Sequence, residues 1–279
     1  MADCARRVGN FSKISRTDRF DKKGFNPELM QSTLKDKSPK LIKMLENIIK
    51  IDQEDYRKHK KVFKHFIFSD VDKGYGAKII ASAMISAGYE LVLKNKGTKI
   101  VIDEKVLNSK GDNKFAVLSS TALWNTTVTR KDIKEILSVF NKRPDNIYGE
   151  NIRFIILDSG FKEGIDLFDV KYAHIFEEQR TQADLTQAVG RVLRFCGQNG
   201  LPFVPGKGWK VKVFNYQLYI PGKSSIFDWF KGKKDRTVVS ILNKENSKLA
   251  YTNNFINSVD SLLKKGAVDA TLNKNINRT

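Results

Sequence analysis

The stretch IRFIILDSGFKEGIDL, residues 152–167, decides the fold. Its first six residues are almost continuously apolar, which is typical of a strand buried on both faces of a parallel sheet. The remaining residues include two glycines four positions apart among polar side chains. Glycine lets a backbone approach a ligand closely, and Ser159, Lys162 and the exposed amides are suited to phosphate oxygens. Considered alone, the stretch is explained equally well by a strand-to-loop turn with incidental polarity.

Strand-like and helix-like segments alternate on both sides of this stretch. Strands are predicted at 62–69, 114–119, 152–157, 170–176 and 209–220, a hairpin at 90–103, and helices from Ser38, at 77–87, 131–140, 182–195 and beyond 225. The alternation predicts an α/β fold with a parallel sheet and helices on both faces. In open sheets of this kind, the loops at the carboxyl ends of the strands carry the chemistry, here 69–76, 158–167 and 177–187.

The predicted helix at 182–195 carries two arginines. Gln187, Arg191 and Arg194 follow the spacing i, i+4, i+7, which places them on one ridge of a helix. A separate apolar stripe is formed by Leu185, Ala188, Val189, Val192 and Phe195. Arginine forks suit the charge that develops on a transferring phosphoryl group. Pairing of both arginines with surface carboxylates is the alternative.

Positive charge is concentrated at the two ends of the chain. The formal net charge is +19 over 279 residues, with 17 Lys+Arg against 9 Asp+Glu in residues 1–64 and 14 against 5 in residues 207–279. The segment 65–206 between them is nearly balanced. Such flanks attract polyanions through counterion release, which makes nucleic acid the leading partner. A solvated lysine-rich surface explains the charge alone about as well.

Several other classes of protein are disfavoured. We find no apolar run of about 18 residues and no export signal, so no membrane partner is expected. Cys4 and Cys196 lie far apart, are expected to be free thiols, and fit no zinc pattern, so no structural metal is expected. His59, His65 and His174 are scattered, which argues against a nucleophilic triad. An intracellular, reducing compartment is the expected location, either cytoplasmic or, for a viral protein, the virion.

The order of the motifs matches a known family. The motifs are, in order, Ser38-Pro39-Lys40-Leu41, a strand ending Phe66-Ile67-Phe68-Ser69, Leu118-Ser119-Ser120-Thr121, Gly164-Ile165-Asp166-Leu167, and Gln187-x-x-Gly190-Arg191-x-x-Arg194. Over roughly residues 36–200 the chain resembles the C-terminal RecA-like motor lobe of superfamily 2 helicases and translocases. The last two motifs are the most specific.

A narrower resemblance concerns the end of the chain. Ala267-Val268-Asp269 and Leu272-Asn273-Lys274 look like the tail of helicase-type NTPases of large cytoplasmic DNA viruses, including the poxvirus early transcription factor small subunit and nucleoside triphosphatase I. The resemblance implies a RecA-like parallel sheet. It divides the chain into a basic arm or linker at 1–35, the lobe at 36–222 and a mostly helical extension at 223–279.

The resemblance also implies roles for individual residues. Contacts with the nucleic-acid backbone would come from Ser69, Asp70, Thr121, Ser159 and Lys162. Communication with ATP would come from Gly164, Asp166 and Gln187. The catalytic residues would be Arg191 and Arg194, as ligands of the γ-phosphate or of the transition state.

The chain departs from the complete family pattern in two large respects. It contains no G-x-x-x-x-G-K-[ST] loop, because Gln217 stands where the first glycine before Gly222-Lys223-Ser224 is required. It also lacks an acidic metal box, and Glu177-Glu178 fits the lead-in to Arg191 better. The pair Asp70 and Asp72 is explained equally by a solvated turn. We therefore expect no ATP hydrolysis by this chain alone, and ATP with Mg²⁺ only in a complete two-lobe assembly.

Two functions follow as predictions. The first is the second motor lobe of an ATP-dependent nucleic-acid helicase or translocase. It would supply arginines to ATP bound on an N-terminal ATPase lobe, located in the same longer chain or in another subunit, and would grip DNA or RNA. The alternative is a non-catalytic nucleic-acid-binding or scaffold protein derived from a helicase lobe. A basic structural protein without a ligand is a third possibility.

Overall fold

Eight strands and seven helices build the part of the chain that the computed structural model describes, residues 2–72, 74–161, 165–179, 181–194, 196–206 and 208–218. The strands are β1 (Lys64–Ser69), β2 (Glu90–Leu91), β3 (Leu93–Lys96), β4 (Lys99–Ile102), β5 (Lys114–Leu118), β6 (Phe154–Asp158), β7 (Val170–Ile175) and β8 (Lys212–Asn215). The helices are α1 (Ala2–Asn10), α2 (Pro27–Lys37), α3 (Pro39–His59), α4 (Ala77–Ser86), α5 (Glu104–Leu107), α6 (Arg130–Phe140) and α7 (Gln182–Gly190).

Six parallel strands form the central sheet, in the order β2-β5-β6-β1-β7-β8. Every residue of β1, β5 and β6 is buried, as expected for strands covered on both faces. Two successive side chains of β1 contact helices on opposite faces of the sheet. Lys64 Nζ donates to the carbonyl oxygen of Phe140 in α6, whereas His65 Nε2 lies 3.6 Å from Asp52 in α3. The predicted α/β fold, a parallel sheet with helices on both faces, is confirmed.

Local signals located several elements well. The Ser38 hydroxyl accepts a hydrogen bond from the Leu41 amide at 3.2 Å, and Pro39 occupies the first turn of α3, as predicted. The predicted hairpin is β3 paired antiparallel with β4. It turns at Gly97, whose φ of 67° is accessible to glycine at no steric cost.

The prediction of an arm or linker at residues 1–35 was wrong. The described residues of this segment form α1, a 3₁₀ turn and most of α2, and they contribute Phe11, Phe20, Met30 and Leu34 to the main hydrophobic core. The apolar side chains follow no single period because they lie on short helices and on the turns between them. Asn26 caps α2 by accepting from the Leu29 amide at 2.9 Å, so a helix begins within the segment expected to be a linker.

The helix predicted at 182–195 is shorter than expected. α7 ends at Gly190, and the chain then turns, with the Val192 amide donating to the Val189 carbonyl at 3.0 Å. Arg191 and Arg194 therefore follow the helix instead of lying on one of its ridges. The sequence prediction was wrong here because favourable side-chain periodicity continues past the point where the backbone leaves the helix.

The carboxyl-terminal part of the chain is described only to residue 218. The strand predicted at 209–220 is shorter in the structure, where it is β8 (Lys212–Asn215). The helical extension at 223–279, the Gly222-Lys223-Ser224 ending and the tail motif from Ala267 lie outside the described residues, so the boundaries at 36–222 and 223–279 stay predictions. Cys4 and Cys196 are free and exposed, as predicted. No helix within the described ranges has the length and apolarity needed to cross a membrane.

Candidate functional site

The carboxyl ends of the central strands meet at one edge of the sheet. Ser69 at the end of β1 is in register with Asp158 at the end of β6, and Leu118 of β5 is in register with Leu157. On the other side of β1, Phe68 is in register with Ile175. The loops predicted to carry chemistry therefore start side by side. They divide into two groups with very different exposure.

The first group, called the open end below, consists of residues 119–121 after β5 and 158–160 after β6. One carboxylate oxygen of Asp158 accepts from the Ser119 hydroxyl at 2.9 Å and from the Ser120 amide at 2.7 Å. The other oxygen accepts from the Gly160 amide at 2.9 Å. This carboxylate ties the two loops together and holds their backbone amides in place.

Some of the residues predicted to contact the nucleic-acid backbone lie on this open end. Ser120 and Gly160 are exposed, while Thr121 and Ser159 are half-buried. The loops are in direct contact, because a Cβ atom added to Gly160 would lie 2.2 Å from the Cβ of Ser120. Glycine is therefore required at 160 for close approach. Lys162, the further contact predicted in this loop, lies outside the described residues.

The second group, called the closed end below, consists of Ser69 and Asp70 after β1 and Glu177 after β7. Ser69 is fully buried, and its hydroxyl donates to Glu177 Oε2 at 3.0 Å. The Asp70 carboxylate forms an ion pair with Arg6 of α1, and both side chains are only 6% exposed. The structure does not present Ser69 and Asp70 for the expected contact with nucleic acid, because Ser69 is fully buried and the Asp70 carboxylate is paired with Arg6 of α1.

Burial shapes the electrostatics of the closed end. Asn10 donates to Glu177 at 3.1 Å and accepts from Lys40 Nζ at 2.8 Å, which lies 4.7 Å from the Phe176 ring centroid. Burial lowers the pKa of Lys40 to about 8. Burial also raises the pKa of Glu177, and Asp70 adds to this while Lys40 and Arg6 oppose it. Two basic and two acidic side chains thus compensate one another beneath α1.

Sequence reasoning missed this cluster. Lys40 was noted only as part of a helix start, and Glu177 only as an unsuitable metal-box residue. The signal for Glu177 was its position immediately after a buried strand at the carboxyl edge, where a carboxylate must find partners. The partners Arg6 and Asn10 are more than 160 positions away along the chain, so no local pattern joins them to Glu177.

The last two motifs are physically joined. Arg194 Nε lies 2.7 Å from the Asp166 carboxylate, and the Leu167 amide donates to the Arg191 carbonyl at 3.2 Å. The Arg194 and Asp166 side chains are 47% and 56% exposed, whereas Arg191 is 2% exposed. The two guanidinium groups therefore do not share an exposed face, which corrects the prediction of a common ridge. Gln187 is exposed on α7. Gly164 lies outside the described residues.

An unpredicted ion pair positions the chain that follows Arg194. Arg143 contacts both carboxylate oxygens of Asp169, at 2.7 and 2.8 Å, and also donates to the Gly197 carbonyl at 2.7 Å. Asp169 is fully buried and accepts from the Gly200 amide at 2.9 Å. This bidentate pair anchors the turn after the arginine motif to the start of β7.

Among the described residues, no group of three His, Cys, Asp or Glu side chains is arranged to hold a metal ion. Arg194, Gln187 and Asp166 are all exposed.

The chain is similar to viral and plasmid helicases and to a viral nucleoside triphosphatase. No protein-family model matches the chain. A putative ATP-dependent RNA helicase of Acanthamoeba polyphaga mimivirus is 30% identical over 154 residues, covering 55% of this chain and 18% of the relative. A killer-plasmid helicase of Kluyveromyces lactis is 28% identical, covering 58% of this chain and 24% of the relative. Nucleoside triphosphatase I of Melanoplus sanguinipes entomopoxvirus is 26% identical, covering 62% of this chain and 26% of the relative.

These relatives confirm the resemblance inferred from the motifs, because they are viral and plasmid helicases and a viral nucleoside triphosphatase. The chain spans only about a quarter of their length or less. Among solved structures, the C-terminal part of the Fun30 ATPase domain aligns with 62% of this chain and 39% of its own, at 16% identity and a TM-score of 0.38.

Proposed function

We propose that this chain acts as the second motor lobe of an ATP-dependent nucleic-acid helicase or translocase. It would close over ATP bound, with Mg²⁺, to an N-terminal ATPase lobe in the same longer chain or in another subunit. The observation that carries the proposal is the contact between the last two motifs, in which the exposed Arg194 pairs with Asp166 while the Leu167 amide binds the Arg191 carbonyl. The similarity to helicases and to a nucleoside triphosphatase supports it.

Arg194 is the better candidate for a catalytic arginine. Its partner Asp166 is more than half exposed, and ion pairs at the surface contribute only about 0–1 kcal/mol. A triphosphate could replace Asp166 at little cost. Arg191 would act as a positioning residue, because its side chain is buried and its backbone holds the preceding loop. Gln187 would contact the nucleotide from α7.

Nucleic acid would contact the open end. The Thr121 and Ser159 hydroxyls suit phosphate oxygens, with Lys162 in the same loop of the sequence. Contacts of this kind read the shape and charge of a strand more than its sequence. The basic ends of the chain would add an attraction that depends on salt.

The catalytic proposal is tested by ATPase assays in the presence of the N-terminal lobe. Arg194→Ala should lower turnover by about 10³-fold or more, within the range measured for arginine fingers. Arg130→Ala, which removes an exposed arginine at the start of α6, is the matched control and should leave turnover unchanged. Unchanged turnover in both Arg194→Ala and Arg191→Ala would remove the catalytic assignment.

A second candidate function is a non-catalytic nucleic-acid-binding scaffold. The basic flanks favour it, because their charge attracts nucleic acid without any nucleotide. Titration of binding to single- and double-stranded DNA and RNA against salt distinguishes the two functions. Affinity that changes with ATP and the N-terminal lobe supports the motor. A steep salt dependence with no response to nucleotide supports the scaffold.

A further inference from the structure

A strained two-residue turn follows the open end. The Leu123 amide donates to the Thr126 carbonyl and the Thr126 amide donates to the Leu123 carbonyl, both at 2.8 Å. The two residues between them, Trp124 and Asn125, have φ values of 49° and 65°. Asparagine tolerates this left-handed conformation, whereas a bulky tryptophan rarely adopts it. Residues held in such conformations cluster at functional sites.

The surrounding structure holds this turn in place. Lys22 Nζ donates to the Asn125 side-chain oxygen at 2.9 Å, and the Phe20 ring lies edge-on to Trp124 with 5.4 Å between the ring centroids. Leu123 is fully buried, and the buried Lys78 donates to the carbonyl of Ala122. The position of the indole is therefore determined before any ligand binds.

The location of the turn connects it with the open end. Trp124 is only three residues beyond Thr121, at the same carboxyl edge of the sheet, and its side chain is partly exposed. Lys22 and the exposed Lys23 come from the segment before α2, which packs beside this turn. The Trp124 ring and the Lys22 ammonium thus lie at the turn that follows Thr121, and the exposed Lys23 is the next residue along the chain after Lys22.

We propose that Trp124 is a stacking platform for a base of single-stranded nucleic acid, with Lys22 and Lys23 on the adjacent phosphates. The inference rests on the proposed nucleic-acid-binding function and identifies the form of the ligand. Every base has a flat aromatic face, so stacking tolerates any sequence. In a duplex those faces are stacked on one another, which leaves none for the indole. A single strand is therefore the form that fits an aromatic side chain beside cations.

Binding of the full chain to labelled 20-nucleotide strands tests the inference. Trp124→Ala should weaken binding of an oligo-dT strand about 5- to 150-fold, the range expected for one stacked base. Binding of an abasic strand with the same number of phosphates should not change. Trp124→Phe should retain most of the affinity, and Trp209→Ala, which removes another partly exposed tryptophan, should match the parent.

Tryptophan fluorescence provides a second readout that does not depend on the stability of the alanine variant. Oligo-dT should quench the parent and Trp209→Phe, but the component due to Trp124 should be lost in Trp124→Phe. Equal affinity of the parent and Trp124→Ala for oligo-dT, or equal losses on the dT and abasic strands, would overturn the stacking inference and leave the proposed function intact. Failure of the parent chain to bind any strand would overturn both.

Discussion

The closed and open ends lie on the same edge of one sheet, yet they offer a ligand very different surfaces. At the closed end, Ser69 is fully buried and Arg6 of α1 forms an ion pair with Asp70. At the open end, Asp158 organises loops whose Ser120 and Gly160 remain exposed. Both were predicted to contact nucleic acid from motif order alone. The difference shows that a motif specifies which loop is at the edge, while the element packed above it decides whether a ligand can reach that loop.

The largest expected effect is at the closed end. Arg6→Ala should lower the free energy of unfolding by about 3–5 kcal/mol, because it leaves the buried Asp70 without its ion-pair partner. Urea unfolding followed by circular dichroism measures the change. Arg7→Ala is the matched control. Its pair with Asp72 is largely exposed, so a change of about 0–1 kcal/mol is expected. Equal effects of the two substitutions would show that α1 does not close this end.

A smaller effect is expected at the open end from Gly160→Ala. The new methyl group would collide with Ser120, and overpacking of this kind costs about 1–3 kcal/mol. The two loops should separate, which should also weaken strand binding. Gly190→Ala is the control, since nothing lies within 4 Å of a Cβ added there. Strand binding by Gly160→Ala equal to that of the parent would separate the loop contact from nucleic-acid binding.

Hydroxyl substitutions compare the two ends directly. Thr121→Val should weaken binding of a single strand by about 1 kcal/mol, roughly fivefold, through loss of one hydrogen bond. Ser69→Ala should leave strand affinity unchanged, because the Ser69 hydroxyl is buried and bonded to Glu177. Fluorescence anisotropy with one labelled strand measures both. A larger loss for Ser69→Ala would mean that α1 leaves the closed end when nucleic acid binds.

The pH dependence of stability sharpens the account of the closed end. Lys40 has a pKa of about 8 when folded, below its ordinary value of 10.5, so the unfolded chain binds more protons between these values. Its burial therefore opposes folding below pH 8, and this penalty falls as the pH rises from 8 toward 10.5. The free energy of unfolding of the parent should therefore rise by up to about 1.4 kcal/mol per pH unit in this window, and Lys40→Met should lack this rise. If the free energy of unfolding changes equally with pH in the two proteins, the Lys40 ammonium is in solvent and the account is wrong.

Local signals predicted much of the fold because they act over a few residues. Ser38 and Pro39 start a helix through one side-chain cap and one fixed torsion, and the apolar run before Asp158 forms a strand wherever it is buried. The arginine motif was harder. The spacing of Arg191 and Arg194 placed both on one helical ridge, but the backbone leaves the helix at Gly190. One side chain is buried and the other is half-exposed as a result.

The amino-acid sequence by itself predicted the order of strands, helices and motifs, the parallel sheet and the loops at its carboxyl edge. Each of these predictions depends on short-range periodicity or on motif spacing. Packing decided the rest. Only the folded chain brings Arg6 and Asn10 to Glu177, across more than 160 positions, and sets Lys22 against Asn125. Contacts between distant segments depend on the shape and burial of the whole core, which no local pattern encodes.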